Sequence, residues 1–254
     1  MLSAILSQSL FHFLLVFCRM GAAIMMMPGV AAKHVPAQVR IIVALGVTLV
    51  VTPVVSATLP PQPDDVMSQS LLVAGELVIG LFLGAIVDII LSALHVAGTI
   101  ISFQGGFANA MIFDPITEQQ GSVITGLLDT VAITLIVVTD AHHLFLRAAV
   151  DSYTLFMPGV MPDVIDMTST IVRQTGESFL LGFKLAAPFI VFTVVLHSAL
   201  GVMSKLAPQI QVFFVFMPLQ VLMSIALFSI VLPGLMMWFL RYYERAITPF
   251  LAPG

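Results

Sequence analysis

The sequence predicts an all-α membrane protein of about six long apolar helical segments, arranged as helical hairpins. Three observations carry this. Of 254 residues, 59% are hydrophobic and 9% charged, with a mean hydropathy of +1.12, a far more apolar balance than a soluble domain carries. The apolar residues come in runs long enough to cross about 30 Å of hydrocarbon at 1.5 Å rise per residue. The runs end at proline, glycine and charge, which are the ordinary separators of helices.

In chain order the segments are Ser3–Met27, Val39–Leu59, Leu71–Ile101, Val123–Thr139, Phe179–Leu200 and Val212–Leu240. The first begins Met1-Leu-Ser-Ala without the basic residues of a secretory leader, and its first basic side chain, Arg19, lies beyond the apolar stretch Phe11 to Cys18, so it is expected to be retained structure. Cys18 is the single cysteine, which excludes an intrachain disulfide framework and a multi-cysteine metal site. It reads as a small buried hydrophobe. Short turns follow at Pro28-Gly29 and Leu59–Asp65. The third and last segments exceed the length of a straight span and should tilt, break or run past the membrane, with Pro218 and Pro233 as candidate kinks in the last.

Within the third segment, Glu76, Gly80, Gly84 and Asp88 follow one another at four-residue steps and share one helix face. Gly80 and Gly84 form a small-xxx-small pair that lets a neighbouring backbone come close, and acids beside such a seam face protein or water, not lipid. The plainer reading is a capping Glu and one incidental Asp, but helical glycine costs stability and needs a reason. Lys184, in an otherwise apolar stretch, is a candidate counter-charge.

Two connections are long. The first, Ser102 to Ser122, lacks Lys and Arg and carries Phe103, Phe107 and Met111 at four-residue spacing, with Phe113 close by; Gly105-Gly106 interrupts it with a tight turn. Asp114-Pro115 reads as an N-cap with proline at the first helical position. On the helix it starts, Glu118, Ser122, Thr125 and Asp129 share a polar face suited to a wet cavity or a partner's polar groups. The residues alone leave two readings open: a loop that occludes a pore with adaptable Met and Phe side chains, or an exposed surface loop. The second connection, about Ala141 to Glu177, holds Pro158-Gly159, Pro162 and several Asp residues, and reads as polar linker.

No chemistry is legible in the motifs. Asp140-Ala-His142-His143 suggests a metal, but adjacent histidines diverge on a helix and no second ligand cluster completes a shell, so a helix-end polar cluster is the expectation. No nucleophile elbow, Walker A loop or dinucleotide fingerprint is present, so neither enzymatic activity nor a cofactor is expected. A net charge of −4, dispersed along the chain, gives no sign of nucleic-acid binding. Loop charge sets no orientation either: Lys33, Arg40 and Lys205 would fall on one side, and Arg147, Arg173, Arg241 and Arg245 on the other. The Arg241-Tyr-Tyr-Glu-Arg245 run anchors the last helix end at an interface.

These residues resemble the FliR family of flagellar export and its counterparts in virulence type III secretion, over most of the chain. The resemblance is carried by Glu76-Leu-Val-Ile-Gly-Leu-Phe-Leu-Gly84, Ala97-Gly98, Ser102-Phe-Gln-Gly105, Phe113-Asp-Pro115 and Asp140-Ala-His-His143, then by Ala187-Pro188 through Leu200-Gly201 to Lys205-Leu-Ala-Pro-Gln209. Lys205 stands where the family more usually has arginine, and Gly105 where it often has a bulkier residue. The resemblance implies a subunit of the flagellar protein export gate in the bacterial inner membrane, at the flagellar basal body. It implies a helical pore complex with FliP and FliQ, contacting FlhB and near FlhA, that passes unfolded flagellar proteins. It further implies a FliP-like part over residues 1–178, a FliQ-like hairpin over 179–254, and a loop from Gly105 to Gly121 that plugs the closed pore. The rival class is an ion-coupled secondary transporter for a small solute, with Glu76, Asp88 and Asp129 as ion sites.

Overall fold

A computed structural model of the chain describes residues 2–31, 35–107, 123–160, 162–206 and 212–251, with side chains described from residue 8 and, in the last stretch, from residue 216. Among these residues every regular element is helical. Helix α1 spans Leu2–Met25, α2 Ala37–Val55 with a 3₁₀ turn at Ser56–Thr58, α3 Val66–Gln104, α4 Val123–Val138, α5 His142–Leu155, α6 Val164–Leu206 and α7 Val212–Ile247, closed by a 3₁₀ turn at Thr248–Phe250. Five helices are long and apolar enough to cross a membrane, and α4 with α5, bent by 71°, makes a sixth span if the pair crosses as one.

The second long connection is corrected. Where the sequence reads as polar linker, α5 fills His142–Leu155 and α6 begins at Val164. Both form for local reasons that an apolar-run reading passes over. Helix α5 is amphipathic: Phe145, Ala148, Ala149, Ser152 and Tyr153 are buried at helical spacing, while Arg147 and Asp151 pair at 3.6 Å one turn apart. Helix α6 is started by Asp163, whose Oδ1 accepts from the backbone N–H of Ile165 at 2.8 Å and of Asp166 at 3.4 Å. Asp65 does the same for α3, accepting from the Ser68 N–H at 3.1 Å, which sets its start before the apolar run. Helix α7 continues through Pro218 and Pro233, and α6 through Pro188.

The chain divides into two compact units. The first comprises Met1–Ile90, Ile133–Thr175 and Tyr243–Gly254. Its core is built from α1, the first part of α3 and α5, through Leu15, Met20, Ile24, Ile79, Ile86 and Tyr153, all almost completely buried. Phe82 adds edge-to-face contacts to Phe156 and Phe250, each at 6.0 Å between ring centroids. Helix α2 keeps Ala44, Thr48, Val51 and Val55 inside but leaves Ile42, Leu49, Val50 and Val54 more than half exposed. Such a face is stable only against lipid or another protein.

The second unit comprises Leu91–Ala132 and Gly176–Tyr242. Leu94, Ala97 and Ile101 of α3, Leu128 and Ala132 of α4, and Leu185 and Phe189 of α6 are buried in it, and Phe189 stands 6.1 Å from Phe228 of α7. Gly182 of α6 carries no side chain because an added Cβ would lie 2.6 Å from the Ala93 carbonyl oxygen. The Ser178 and Tyr242 hydroxyls share a hydrogen bond at 3.1 Å.

Candidate functional site

In the first unit, the acid that opens the glycine face is tied to an arginine on α1. Arg19 Nε donates to Glu76 Oε2 at 2.6 Å and Nη2 to Oε1 at 2.9 Å, a bidentate fork. Nη1 donates to the Ser152 carbonyl at 3.1 Å and to its hydroxyl at 3.3 Å, and Nη2 also donates to the Phe156 carbonyl at 3.0 Å. All five guanidinium N–H groups are thereby used. The carbonyls of Ser152 and Phe156 lie at the C-terminal end of α5, where the dipole favours a cation; that of Ser152 also accepts the Phe156 N–H at 2.8 Å. The guanidinium carbon also lies 4.1 Å from the centroid of the Tyr153 ring. Side-chain exposure is 0% for Arg19 and 3% for Glu76, so neither charge reaches solvent. One side chain therefore joins α1, α3 and α5.

The glycines explain how the two helices come close enough. A Cβ on Gly80 would collide with the Arg19 carbonyl oxygen and lie 2.9 Å from the Ala22 Cβ; one on Gly84 would lie 2.7 Å from the Met26 Cβ. The backbone of α1 thus rides over the glycine face, within this chain, and carries Arg19 to Glu76. Asp88, the fourth residue of that face, is exposed and outside the network. Lys184 is exposed on α6, and Glu76 takes Arg19 as its counter-charge. Sequence reasoning passed over Arg19, although a signal was present: arginine inside an apolar helix is costly without a buried partner.

In the second unit, α3 ends at the root of the Gly/Phe loop. The Gly105 N–H donates to the Ile101 carbonyl at 2.7 Å and the Gly106 N–H to that of Phe103 at 3.3 Å. Gly106 has φ +77°, in the left-handed region that closes helices. Phe107 folds back over Gly105, where a Cβ would lie 2.5 Å from its ring. The Gln104 carbonyl, left open by the helix end, accepts from Thr193 Oγ1 of α6 at 2.9 Å and from Gln220 Nε2 of α7 at 3.0 Å. Phe103 is 70% exposed. Met111 and Phe113 lie outside the described residues.

Of the polar face, Glu118 and Ser122 also lie outside the described residues. Thr125 packs against α3, where a Cβ on Gly98 would lie 2.6 Å from its Oγ1. Asp129 Oδ2 pairs with His95 Nε2 of α3 at 2.8 Å. Thr125 Oγ1 and Asp129 Oδ1 are buried without a hydrogen-bond partner among the described residues. His95, a scattered histidine in the sequence, is thus placed beside the face.

Opening both bonds to the Gln104 carbonyl should loosen the loop's root. In Thr193→Val combined with Gln220→Leu, a half-buried carbonyl loses its donors, at about 1–3 kcal/mol. Limited proteolysis with mapped cleavage should show faster cutting after Phe107 than in the unaltered protein, and equal rates would show that the two bonds do not restrain the root.

The chain matches known proteins along most of its length. The model of the bacterial export proteins, family 1, matches residues 10–246. The chain is 37% identical to flagellar biosynthetic protein FliR of Caulobacter vibrioides, over 91% of this chain and 92% of that one. It is 30% identical to the FliR protein of Bacillus subtilis over 84% and 82% of the two chains. It is 28% identical to Yop proteins translocation protein T of Yersinia pestis over 87% and 85%. A match that includes both the α1–α3 glycine face and the loop root, at this identity and coverage, makes the chain a member of the bacterial export proteins, family 1, the family of the flagellar FliR proteins.

Proposed function

We propose that the chain is a subunit of the flagellar type III export gate in the bacterial inner membrane, where it helps form the pore for unfolded flagellar proteins. Its partners are FliP, FliQ and FlhB, with FlhA nearby; its own chemistry is none, and it needs neither cofactor nor metal for this role. The loop from Gly105 to Gly121 seals the pore at rest, with Phe103, Phe107, Met111 and Phe113 as its adaptable apolar edge. Residues 1–178 correspond to the FliP-like part and 179–254 to the FliQ-like hairpin.

The observation that carries the reading is the loop root. A Gly-Gly turn followed by an apolar stretch is fastened to α6 and α7 through one carbonyl, while the helices around it keep apolar outer faces that require lipid or neighbouring subunits. Excising Gly105 to Gly121 should let small ions leak through the assembled complex in planar bilayers, whereas unchanged permeability would remove the plug. Affinity purification in mild detergent should bring down the export subunits. A solitary protein that moves a small solute in liposomes would instead identify a transporter.

A further inference from the structure

The elbow between α4 and α5 gathers Asp140, His142 and His143, whose candidate ligand atoms lie within 4.8 Å of one another. The expected divergence of adjacent histidines does not hold here: their ring centroids are 4.1 Å apart. The reason is position. Both sit in the first turn of α5, next to the 71° break, with no preceding helical turn to restrict their rotamers. Asp140 has φ +58°, the only non-glycine residue in the left-handed region among those described, and this turns its carboxylate back so that Oδ1 stands 3.6 Å from His143 Nδ1. His142 Nδ1 approaches the Ile136 carbonyl at 3.5 Å. In the tautomer that carries its proton on Nδ1, His142 turns that nitrogen toward the carbonyl and leaves Nε2 as the free ligand atom, as a backbone carbonyl does for a metal-bound histidine.

From this donor set we infer that the elbow binds one divalent transition-metal ion of the zinc class, through the Asp140 carboxylate and the imidazoles of His142 and His143. Metal bonds of about 2.0–2.2 Å put neighbouring donors about 3–3.5 Å apart. Asp140 and His143 expose 77% and 66% of their side chains, so they can rotate into that spacing without disturbing a core. Two imidazoles with one carboxylate select zinc, cobalt or nickel over magnesium and calcium, which take oxygen shells. The carboxylate supplies the negative charge that the positive end of the α5 dipole would otherwise deny a cation. The remaining coordination positions face outward, open to water or to a donor from a neighbouring subunit, and a bound ion fixes the angle between α4 and α5.

The test uses full-length protein without a histidine tag, in detergent and stripped of metal by a chelator. Cobalt is titrated with visible absorption as the readout of coordination, and zinc by calorimetry. The expected result is saturation at one ion per chain with a Kd on the order of micromolar or tighter. Asp140→Asn, His142→Ala and His143→Ala should each weaken it roughly tenfold or more, while His197→Ala on α6 leaves it unchanged. Asparagine tolerates the left-handed backbone of position 140, so its loss of binding reports the carboxylate and not a disturbed turn. Absent or unsaturable binding, or saturable binding that none of the three substitutions at the elbow weakens, overturns the site.

Discussion

Replacing Arg19 with alanine is expected to lower the melting temperature of the detergent-solubilised protein by on the order of 10 °C, following a loss of about 3–5 kcal/mol. The size of the effect comes from what is left behind. Glu76, at a position with 3% side-chain exposure, loses its counter-charge and both bonds of its fork, the Phe156 carbonyl loses the guanidinium donor, and the Ser152 carbonyl keeps only the Phe156 N–H. Glu76→Ala leaves the reverse problem, a buried guanidinium whose remaining partners are neutral oxygens, and should be comparably harmful. The pair itself is a different matter, because desolvating two charges consumes most of what their attraction returns. Arg19→Met combined with Glu76→Leu should therefore melt close to the unaltered protein, giving a large coupling in the double-mutant cycle. Far-ultraviolet circular dichroism, which reports loss of helix in the whole chain, provides the measurement. Single variants that melt normally would show that the network does not hold α1, α3 and α5 together.

The contrast between this network and the helices around it shows what a linear sequence discloses. Long apolar runs state their own solvent, so α1, α2, α3 and α4 are legible to within about five residues at each end, and α7 at its start but not at its end, which runs on from Leu240 to Ile247. Helices α5 and the start of α6 were hidden because amphipathic and capped segments declare themselves through spacing and through a residue such as Asp163, not through apolar length. The glycine face was legible from its four-residue step, since only a close neighbour justifies glycine there. Its partner was not. Arg19 and Glu76 are 57 residues apart, and nothing local distinguishes Arg19 from Lys184 as the counter-charge; the choice is made by helix packing. His95 beside Asp129 was hidden for the same reason. The stacking of His142 on His143 depended on a helix break whose angle no composition rule supplies.

Gly80 and Gly75 lie five positions apart on α3, and alanine at the two should move stability in opposite directions. At Gly80 the new methyl would occupy the space of the Arg19 carbonyl oxygen and press on the Ala22 Cβ at 2.9 Å. Backbone cannot rotate aside as a side-chain tip can, so α1 and α3 must separate. That separation stretches the Arg19 fork as well, and the cost should reach the upper part of the roughly 1–3 kcal/mol seen for overpacked interiors. At Gly75 a Cβ would meet nothing within 4 Å, and the residue lines a cavity of about 550 Å³. Alanine there adds helix propensity alone, a gain of up to about 1 kcal/mol. Gly84→Ala should fall between the two: the Met26 sulfur, 2.8 Å from the new atom, can swing away, but the Met26 Cβ at 2.7 Å cannot. Melting curves of the three variants in one detergent decide the matter. The close approach of α1 to α3 is sustained only if Gly80→Ala lowers the midpoint while Gly75→Ala raises it, because both carry the same chemical change on the same helix and differ in what lies opposite.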